Sequence, residues 1–548
     1  MSSMMACRHA LQIAEIVRMI CDEAESGQYK RRFEALLALA TTSKTFSEPA
    51  LNIIWREQDS LVPLVKCMPD TLWQERQTET GVVVYLRRPI AASDLPRLLF
   101  YSVRVRSLDM EYTKKKALHP EFLRALDLSL PQSFMPKLSH FAWTPKKDEV
   151  LSIMRHFMNP EIRKITLELG KHSASLSILP YITSACPFLS DLTLNVGTQP
   201  RFIPFISEAV CGWHHLTDLS IPNLDQAGFT HVAQLPSLKC LSLCFVKDMT
   251  LYPPDFLSGS TFPVLKSLFV RCETARFCIG VIKVISSRQC EDLTIRPLAT
   301  WTTTAWQELH TSVRDHLANP AFNMIDVEYW EASPPEDITP YVLSAPALRP
   351  LLAIKSLSTL SYQIYPNLDV NDDFLEEMAR AWRKLQSLNF GTEVAVFSTD
   401  RPQATLKCLV YFARHCRRLS SLGLHMDATT VPEFKQLPGQ RIRNSLEALD
   451  VGVSPIDFAK EAQTAAFISN LFPRLEYLFT CRSGQLGQTP RAFERLENSW
   501  NRVEDMIPVF NSVRSEEEEF WAQELAASET ESVESSEDGS SDDAEETS

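Results

Sequence analysis

The chain has 548 residues, and its 55 Lys and Arg against 68 Asp and Glu give a formal net charge of −13 at neutral pH. With 45% hydrophobic residues it has enough apolar material for large cores, which excludes wholesale disorder. Its 15 glycines are too few for a fold with several glycine-rich phosphate loops, and 13 cysteines without a Cys-x-x-Cys pair exclude a disulfide framework or a zinc ribbon.

Three short amphipathic helices are predicted near the start of the chain. Their apolar residues recur at helical spacing, which places the side chains on one face of each helix. The three sets are Ile13, Ile16, Val17 and Ile20; Phe33, Leu36, Leu37 and Ala40; and Leu51, Ile54 and Trp55. Because a unit of this size has a marginal core, we expect it to lean on the next domain or on a partner.

A leucine-rich pattern recurs between residues 105 and 480. It has the form Leu-x-x-Leu-x-Leu, with other apolar residues in place of some leucines, and its mean interval of about 26 residues is typical of leucine-rich repeats. The fifteen copies start at Val105, Leu123, Leu138, Ile162, Leu189, Leu216, Leu238, Leu265, Cys290, Phe322, Leu357, Leu385, Leu419, Leu446 and Leu475. In seven copies proline lies two residues before the first apolar position, far more often than chance predicts.

These repeats predict an α/β fold in which each repeat contributes one strand and one helix. Stacked repeats form an irregular horseshoe, a solenoid with parallel strands on its concave face. Polar residues beside the inward-pointing apolar positions are expected to bind a protein substrate there, although an ordinary solvated sheet face explains them equally well. The candidates are Asp191, Thr193, Asp218, Ser220, Lys239, Ser242, Lys266 and Ser267.

The end of the chain is strongly acidic. Residues 515–548 contain 14 acidic residues and no Lys or Arg, interleaved with serine. Such a segment cannot bury enough apolar surface to offset its ordering entropy, so residues 506–548 are predicted to form a disordered acidic tail. Because this segment carries 14 negative charges of a chain whose total is −13, the rest of the chain is close to neutral.

The sequence shows no spacing typical of a catalytic, metal or cofactor site, so we expect neither an enzyme nor a cofactor. His415 and Cys416 could form a base and nucleophile pair, but adjacent helical residues point about 100° apart. His214 and His215 beside Cys211 offer only three metal ligands, and turn residues are the favoured interpretation. Basic clusters are short and scattered, which disfavours nucleic acid, and no apolar run reaches the roughly 18 to 20 residues of a membrane span.

The first 75 residues resemble an F-box, and the whole chain resembles the F-box and leucine-rich-repeat proteins that are numerous in fungi. Ile13-Ala14-Glu15-Ile16 matches the opening Leu-Pro-Glu-Ile position of the box, with Ala14 in place of proline. Ser43-Lys44-x-Phe46 matches the Val-Ser-x-x-Phe position, and Ile54-Trp55 matches the Leu/Ile-Trp close. The polar linker from Glu25 to Arg32 is longer than the family average.

The resemblance implies that residues 1–75 dock on a Skp-type adaptor, and through it on a cullin ubiquitin ligase. A connector at 76–104 would then lead to the solenoid at 105–505, which captures a protein substrate in the cytoplasm or nucleus. The alternative is a leucine-rich-repeat scaffold whose box has lost adaptor binding. Matching the F-box motif assigns adaptor contacts to Ile13, Ala14, Glu15, Ile16, Ile20, Leu36, Leu39, Phe46 and Trp55.

Overall fold

A computed structural model describes fourteen segments of the chain, which packs as two compact units. The described residues are 11, 13–25, 29–79, 81–111, 116–144, 151–169, 173–197, 199–244, 260–329, 342–363, 368–391, 401–433, 444–480 and 491–537. The first unit comprises residues 1–272 and 284–287, and the second comprises 273–283 and 288–548. The predicted domain boundaries remain predictions.

The first unit begins with three helices and continues as an array of parallel strands and helices. In chain order its elements are α1 (Ala14–Glu25), α2 (Tyr29–Thr42), α3 (Lys44–Ile54), β1 (Glu57–Gln58), α4 (Val62–Val65), β2 (Trp73–Thr78), β3 (Gly81–Leu86), α5 (Pro96–Ser102), β4 (Ser107–Glu111), β5 (Lys116–Leu118), α6 (Pro120–Ser129), β6 (His140–Thr144), β7 (Lys164–Glu168), α7 (Ser173–Leu176), α8 (Leu179–Ala185), β8 (Asp191–Asn195), α9 (Ile203–Cys211), β9 (Asp218–Ile221), α10 (Gln226–Gln234), β10 (Cys240–Cys244) and β11 (Ser267–Cys272).

The second unit repeats the alternation of strand and helix and ends in a long helix. Its elements are α11 (Ala275–Lys283), β12 (Asp292–Pro297), α12 (Thr303–His316), β13 (Met324–Glu328), β14 (Leu343–Ser344), α13 (Ala345–Leu348), β15 (Thr359–Gln363), β16 (Leu368–Asp369), α14 (Asp372–Ala381), β17 (Ser387–Phe390), α15 (Lys407–His415), β18 (Ser421–Gly423), β19 (Ala448–Gly452), α16 (Glu461–Leu471), β20 (Tyr477–Thr480) and α17 (Arg491–Glu537).

The three predicted N-terminal helices are present and share a small core. Val17, Cys21, Leu36, Phe46 and Ala50 are its buried members. The Ser43 side chain accepts a hydrogen bond from the Phe46 backbone N–H at the start of α3, as an N-cap residue does. This core is small enough that the helices need support from the rest of the unit.

Contacts that support the helices come from the segment before β4. The Trp55 ring stacks on Tyr101 of α5 with 4.5 Å between ring centroids. Arg104 donates a hydrogen bond of 2.7 Å to the Glu48 carboxylate on α3. Strand β1, just after α3, pairs with β4 in parallel. The helical unit is therefore continuous with the sheet.

The parallel strands stack their leucines in register in both units. In the first unit Ile165, Leu192, Leu219, Leu241 and Leu268 are direct neighbours across β7 to β11. The same position in the second unit is shared by Leu293, Ile325, Leu360, Leu388, Leu422, Leu449 and Leu478 on neighbouring strands. Burial alternates along each strand, so one sheet face is buried and the other is open. This is the arrangement of a leucine-rich-repeat array.

Fourteen of the fifteen predicted copies of the pattern contain one of these parallel strands. The copy that starts at Leu123 is wrong, because it lies in helix α6. Phe122 and Leu126 are buried there while Leu128 is 90% exposed. Residues three or four apart also share a helix face, so the Leu-x-x-Leu spacing fits a helix equally well, and Pro120 at the first helical position starts one.

Two kinds of hydrogen bond recur between neighbouring repeats and form two ladders. At the strand entrance the backbone N–H groups of Ser190 and Asp191 both donate to the Arg163 carbonyl, and the Ser190 hydroxyl donates to it as well. The arrangement recurs at Ser139 on Arg106 and at Ser420 on Gln386. At each of these strand entrances one backbone carbonyl thus accepts hydrogen bonds from the next repeat.

The second ladder uses buried side chains three residues before the pattern. Asn159 donates to the Met135 carbonyl at 3.1 Å, and Trp213 donates through Nε1 to the Cys186 carbonyl at 3.0 Å. Cys416 donates through Sγ to the Trp382 carbonyl in the second unit. The donors differ in size, but each satisfies a buried carbonyl of the preceding repeat.

The predicted disordered tail is wrong over residues 506–537, which continue helix α17. Trp500, Val503 and Ile507 are buried, and Trp500 donates through Nε1 to the Ser454 carbonyl at 2.8 Å. Arg514 donates to the Ala466 carbonyl on α16 at 2.7 Å. This apolar stripe anchors the helix, and the acidic composition that follows it hid the stripe; residues 538–548 lie outside the described part.

Replacing Trp500 with alanine should destabilise the second unit by about 3–5 kcal/mol, because it empties a large buried site and leaves the Ser454 carbonyl without its donor. Denaturant unfolding measures the loss. Val513→Ala is the matched control on the same helix, since Val513 is 48% exposed, and it should change stability by less than about 0.5 kcal/mol. Equal stability of the two variants would contradict docking of α17.

A buried histidine in the second unit is held neutral. His310 Nδ1 lies 2.6 Å from the Ala347 carbonyl and Nε2 lies 2.6 Å from the Tyr362 hydroxyl. Neutral imidazole therefore donates at Nδ1 and accepts at Nε2. Burial lowers the pKa of His310 from 6.5 to about 4, and burial does the same for His425.

The unfolded state therefore binds more protons than the folded state between pH 6.5 and pH 4. The contribution of neutral His310 and His425 to the free energy of unfolding is complete above pH 6.5. It is lost as the pH falls toward 4, with a slope of about 1.4 kcal/mol per pH unit for each histidine. Denaturant unfolding at pH 7 to 5 measures that slope. His310→Gln should reduce it by about half of the two-histidine value, whereas His140→Gln, at an exposed position, should leave it unchanged. An unchanged slope in His310→Gln would contradict the assignment.

Candidate interaction surfaces

The nine residues assigned to adaptor binding do not share one environment. Leu36 and Phe46 are buried in the core of the three helices, so they support the unit and have no free surface for a partner. Ile20 and Leu39 pack against the same core with part of their surface exposed, and Ile16 is also half-buried. Ile13, Ala14 and Glu15 are exposed at the start of α1, and Trp55 is half-buried against Tyr101.

Helices α1 and α2 expose apolar side chains beyond those the motif assigned. Met19 is 69% exposed and Leu37 is 60% exposed, alongside Ile13 at 46% and Phe33 at 38%. Phe33 and Leu37 are four residues apart and therefore share a face of α2. We call these four exposed residues together the apolar helix surface, and Ile13 and Met19, six residues apart, lie on different sides of α1. Sequence reasoning missed Met19 because it lies off the predicted stripe of α1.

The predicted substrate-binding residues lie on the open sheet face of the first unit. Asp191, Asp218, Cys240 and Ser267 occupy one row across β8 to β11, and Thr193, Ser220 and Ser242 occupy the next. Each alternates with the buried leucines of its strand. Lys239 and Lys266 lie one residue before β10 and β11, at the strand entrance. The structure thus brings six of the eight predicted residues together on one sheet face, with Lys239 and Lys266 just before their strands.

Two carboxylates lie side by side on this sheet face, which does not favour folding. Asp191 and Asp218 are direct neighbours across β8 and β9, and like charges in that position destabilise a sheet. Lys164 relieves the pair through a 2.6 Å ion pair with Asp191, and the Thr217 hydroxyl donates to Asp218 at 2.7 Å. The ion pair is partly exposed, so it contributes little to stability.

The second unit has an open polar face of its own that the sequence reasoning did not list. Arg296 on β12 is paired with Asp326 at 2.8 Å and with Glu328 at 3.1 Å, both on β13. Its side chain is only 15% exposed, and a guanidinium bonded to two carboxylates is a well-ordered feature. Alternation of polar and apolar positions along these strands is the signal that could have identified the face.

The structure gives the surroundings of the residues considered for a catalytic pair and for a metal site. Cys416 is fully buried, and burial raises the pKa of its thiol to about 12, so the nucleophilic thiolate is suppressed. Desolvation together with neighbouring arginines lowers the pKa of His415. His214 packs on the ring of His231 and His215 on the ring of Phe188, in two separate contacts.

Two further properties of the described residues concern metal sites and membrane spans. They contain no group of three or more His, Cys, Asp and Glu residues arranged to hold a metal ion. Within the same ranges, no helix combines the length and apolar character needed to cross a membrane.

Comparisons with known proteins give weak structural similarity. No protein-family model matches the sequence, and no curated protein matches it. The Rad7 and Elc1 complex from yeast has 13% identity and a TM-score of 0.29, covering 71% of this chain and 76% of the other. The leucine-rich repeat-containing protein LegL7 from Legionella pneumophila has 10% identity and a TM-score of 0.26, covering 70% and 94%. The fold assignment therefore rests on strand register.

Substitutions at two adjacent residues of β8 should differ in their effect on stability, because one side chain is in the core and the other is on the open face. Leu192→Ala should destabilise the first unit by about 2–5 kcal/mol because Leu192 is 1% exposed and lies inside the leucine row. Thr193→Ala, on the open face, should cost less than about 1 kcal/mol. Thermal and denaturant unfolding of the two variants provide the measurement. Comparable losses in both would show that the open face belongs to the core.

Proposed function

We propose that this chain is the substrate-recognition subunit of a Skp/cullin/F-box type ubiquitin ligase. In this proposal the three N-terminal helices bind the Skp-type adaptor and the repeat array binds a protein substrate. The observation that carries the proposal is the apolar helix surface, Ile13, Met19, Phe33 and Leu37, exposed on a helical unit whose core is already closed.

An adaptor is the partner that the F-box resemblance assigns to this surface. Burying an exposed Ile or Met side chain contributes about 1.5–3 kcal/mol, so a few such residues suffice for a stable complex. Leu36 and Phe46 have a different role in the proposal: they fix α2 and α3 so that the exposed residues keep their positions. Ala14 replaces the proline of the motif, yet α1 forms and starts at Ala14.

The open face of β8 to β11 supports substrate capture. Asp191 and Asp218 are adjacent carboxylates on a rigid sheet, and a basic side chain on a partner would relieve their repulsion. A rigid parallel sheet also exposes rows of side chains on a backbone that loses little conformational entropy on binding. The substrate proposed here is therefore a protein that has a basic residue at its contact with these two strands.

The chain itself performs no reaction in this proposal. It contributes proximity, because a substrate held on the sheet lies near a ubiquitin-charged enzyme bound elsewhere on the ligase. The suppressed thiol of Cys416 is compatible with this non-catalytic role.

Binding of the full chain to a purified Skp-type adaptor tests the proposal. The double variant Ile13→Glu and Met19→Glu should weaken adaptor binding at least tenfold in calorimetry, because two exposed apolar contacts become charged. These positions are preferable to Ile20, whose packing on the core would confuse binding with folding.

Leu128→Glu is the matched control, since Leu128 is 90% exposed on α6 and lies outside the apolar helix surface. It should bind the adaptor as the unmodified chain does. Absence of binding by the folded full chain at micromolar adaptor would contradict the proposal. That result would favour the alternative, a non-catalytic leucine-rich-repeat scaffold with a degenerate F-box.

A further inference from the structure

A basic pocket lies in the first unit where the helical unit meets the sheet. Its volume is about 560 Å³, within the range of small-molecule sites. Its lining includes Arg18 of α1, Arg56 after α3, Arg104 and Arg106 before β4, and Lys137 before β6. Five cations from four separate parts of the chain converge on one cavity.

The acidic residues of the lining do not balance these charges. Only Asp22 and Glu48 are acidic, so the lining has a net charge of +3. Arg56 is paired with Glu25, which is outside the lining, and Arg104 with Glu48. Within the described part of the chain, the side chains of Arg106 and Lys137 have no hydrogen bond or ion pair. The pocket therefore has unmatched positive charge.

Arg104 is the most buried cation of the pocket lining. The residue is 7% exposed, and its Nε–H is buried with no hydrogen-bond partner among the described residues. Its carboxylate partner Glu48 is 63% exposed, so water weakens their attraction. A buried guanidinium with an unsatisfied donor is unfavourable, and a nearby anion would offset that cost.

We propose that this pocket binds a small soluble anion that contains two or more phosphate groups. Guanidinium groups match phosphate oxygens with two parallel hydrogen bonds, and several phosphates would use several cations at once. Such a ligand would contact α1 and the segments that enter β4 and β6 together. It would therefore fix the position of the three helices relative to the sheet, in addition to the Trp55 and Tyr101 stack.

Calorimetry of the full chain with inorganic tripolyphosphate tests this site. The double variant Arg106→Ala and Lys137→Ala should weaken binding at least tenfold, because it removes two exposed cations and leaves the buried Arg104 in place. Arg383→Ala with Lys384→Ala is the control, since it removes the same charge from exposed positions in the second unit and should bind as the unmodified chain does. Unfolding curves without ligand should be the same for all three proteins.

Three results would overturn the proposal. The first is no measurable binding of tripolyphosphate by the unmodified chain, and the second is equal weakening in the pocket and control variants. The third comes from a parallel titration with a pentaglutamate peptide: affinity equal to that of tripolyphosphate, with the same loss in the pocket variant, would assign the pocket to an acidic protein segment instead. Adaptor binding is measured separately, so failure here leaves the proposed function intact.

Discussion

Each unit depends on a backbone carbonyl that recurs at the entrance of its parallel strands. That carbonyl accepts from two backbone N–H groups of the next repeat and, at Ser190 for example, from a hydroxyl as well. A repeat alone leaves its carbonyl unsatisfied and its leucine row half exposed, so stability arises only between neighbours. The ends of an array therefore need other elements. At the C-terminal end α17 packs on α16, and its Glu504 carboxylate faces the Leu478 N–H of the last strand.

The strands could be predicted from sequence because their signal is redundant. Two buried positions per strand, a corner residue and frequent prolines recur at a regular interval, and fourteen copies were located on that basis. The failure at Leu123 shows the limit, since the spacing alone does not distinguish a strand from a helix. The acidic composition did not predict helix α17, because Trp500, Val503 and Ile507 form only a short apolar stripe beside a long acidic segment. The sequence could not reveal that Asn159, Trp213 and Cys416 share one role, because they have only a donor group in common.

The candidate surfaces were predicted less completely than the fold. A motif assigns residues by position, but it does not tell which of them face inward, and so it grouped buried Leu36 with exposed Ile13. The polar rows of β8 to β11 were found because alternation along a strand decides which side chains share a face. The basic pocket could not be predicted from the sequence, since Arg18, Arg56, Arg104 and Lys137 are far apart in the chain. Only the packing of the helical unit on the sheet brings them together.

The mixed donors of the buried ladder have a consequence for how this chain can change over evolutionary time. Whole repeats are the natural modules for duplication or recombination, but here each junction has been fitted to one pair of side chains. Asn159 and Trp213 satisfy equivalent carbonyls with very different volumes, so exchanging their repeats would leave a void at one junction and a clash at the other. Tandem copying of a repeat creates one new junction, between the two copies, so growth of the array must be followed by compensating substitutions there. The order of the repeats is thereby locked in place more firmly than their number.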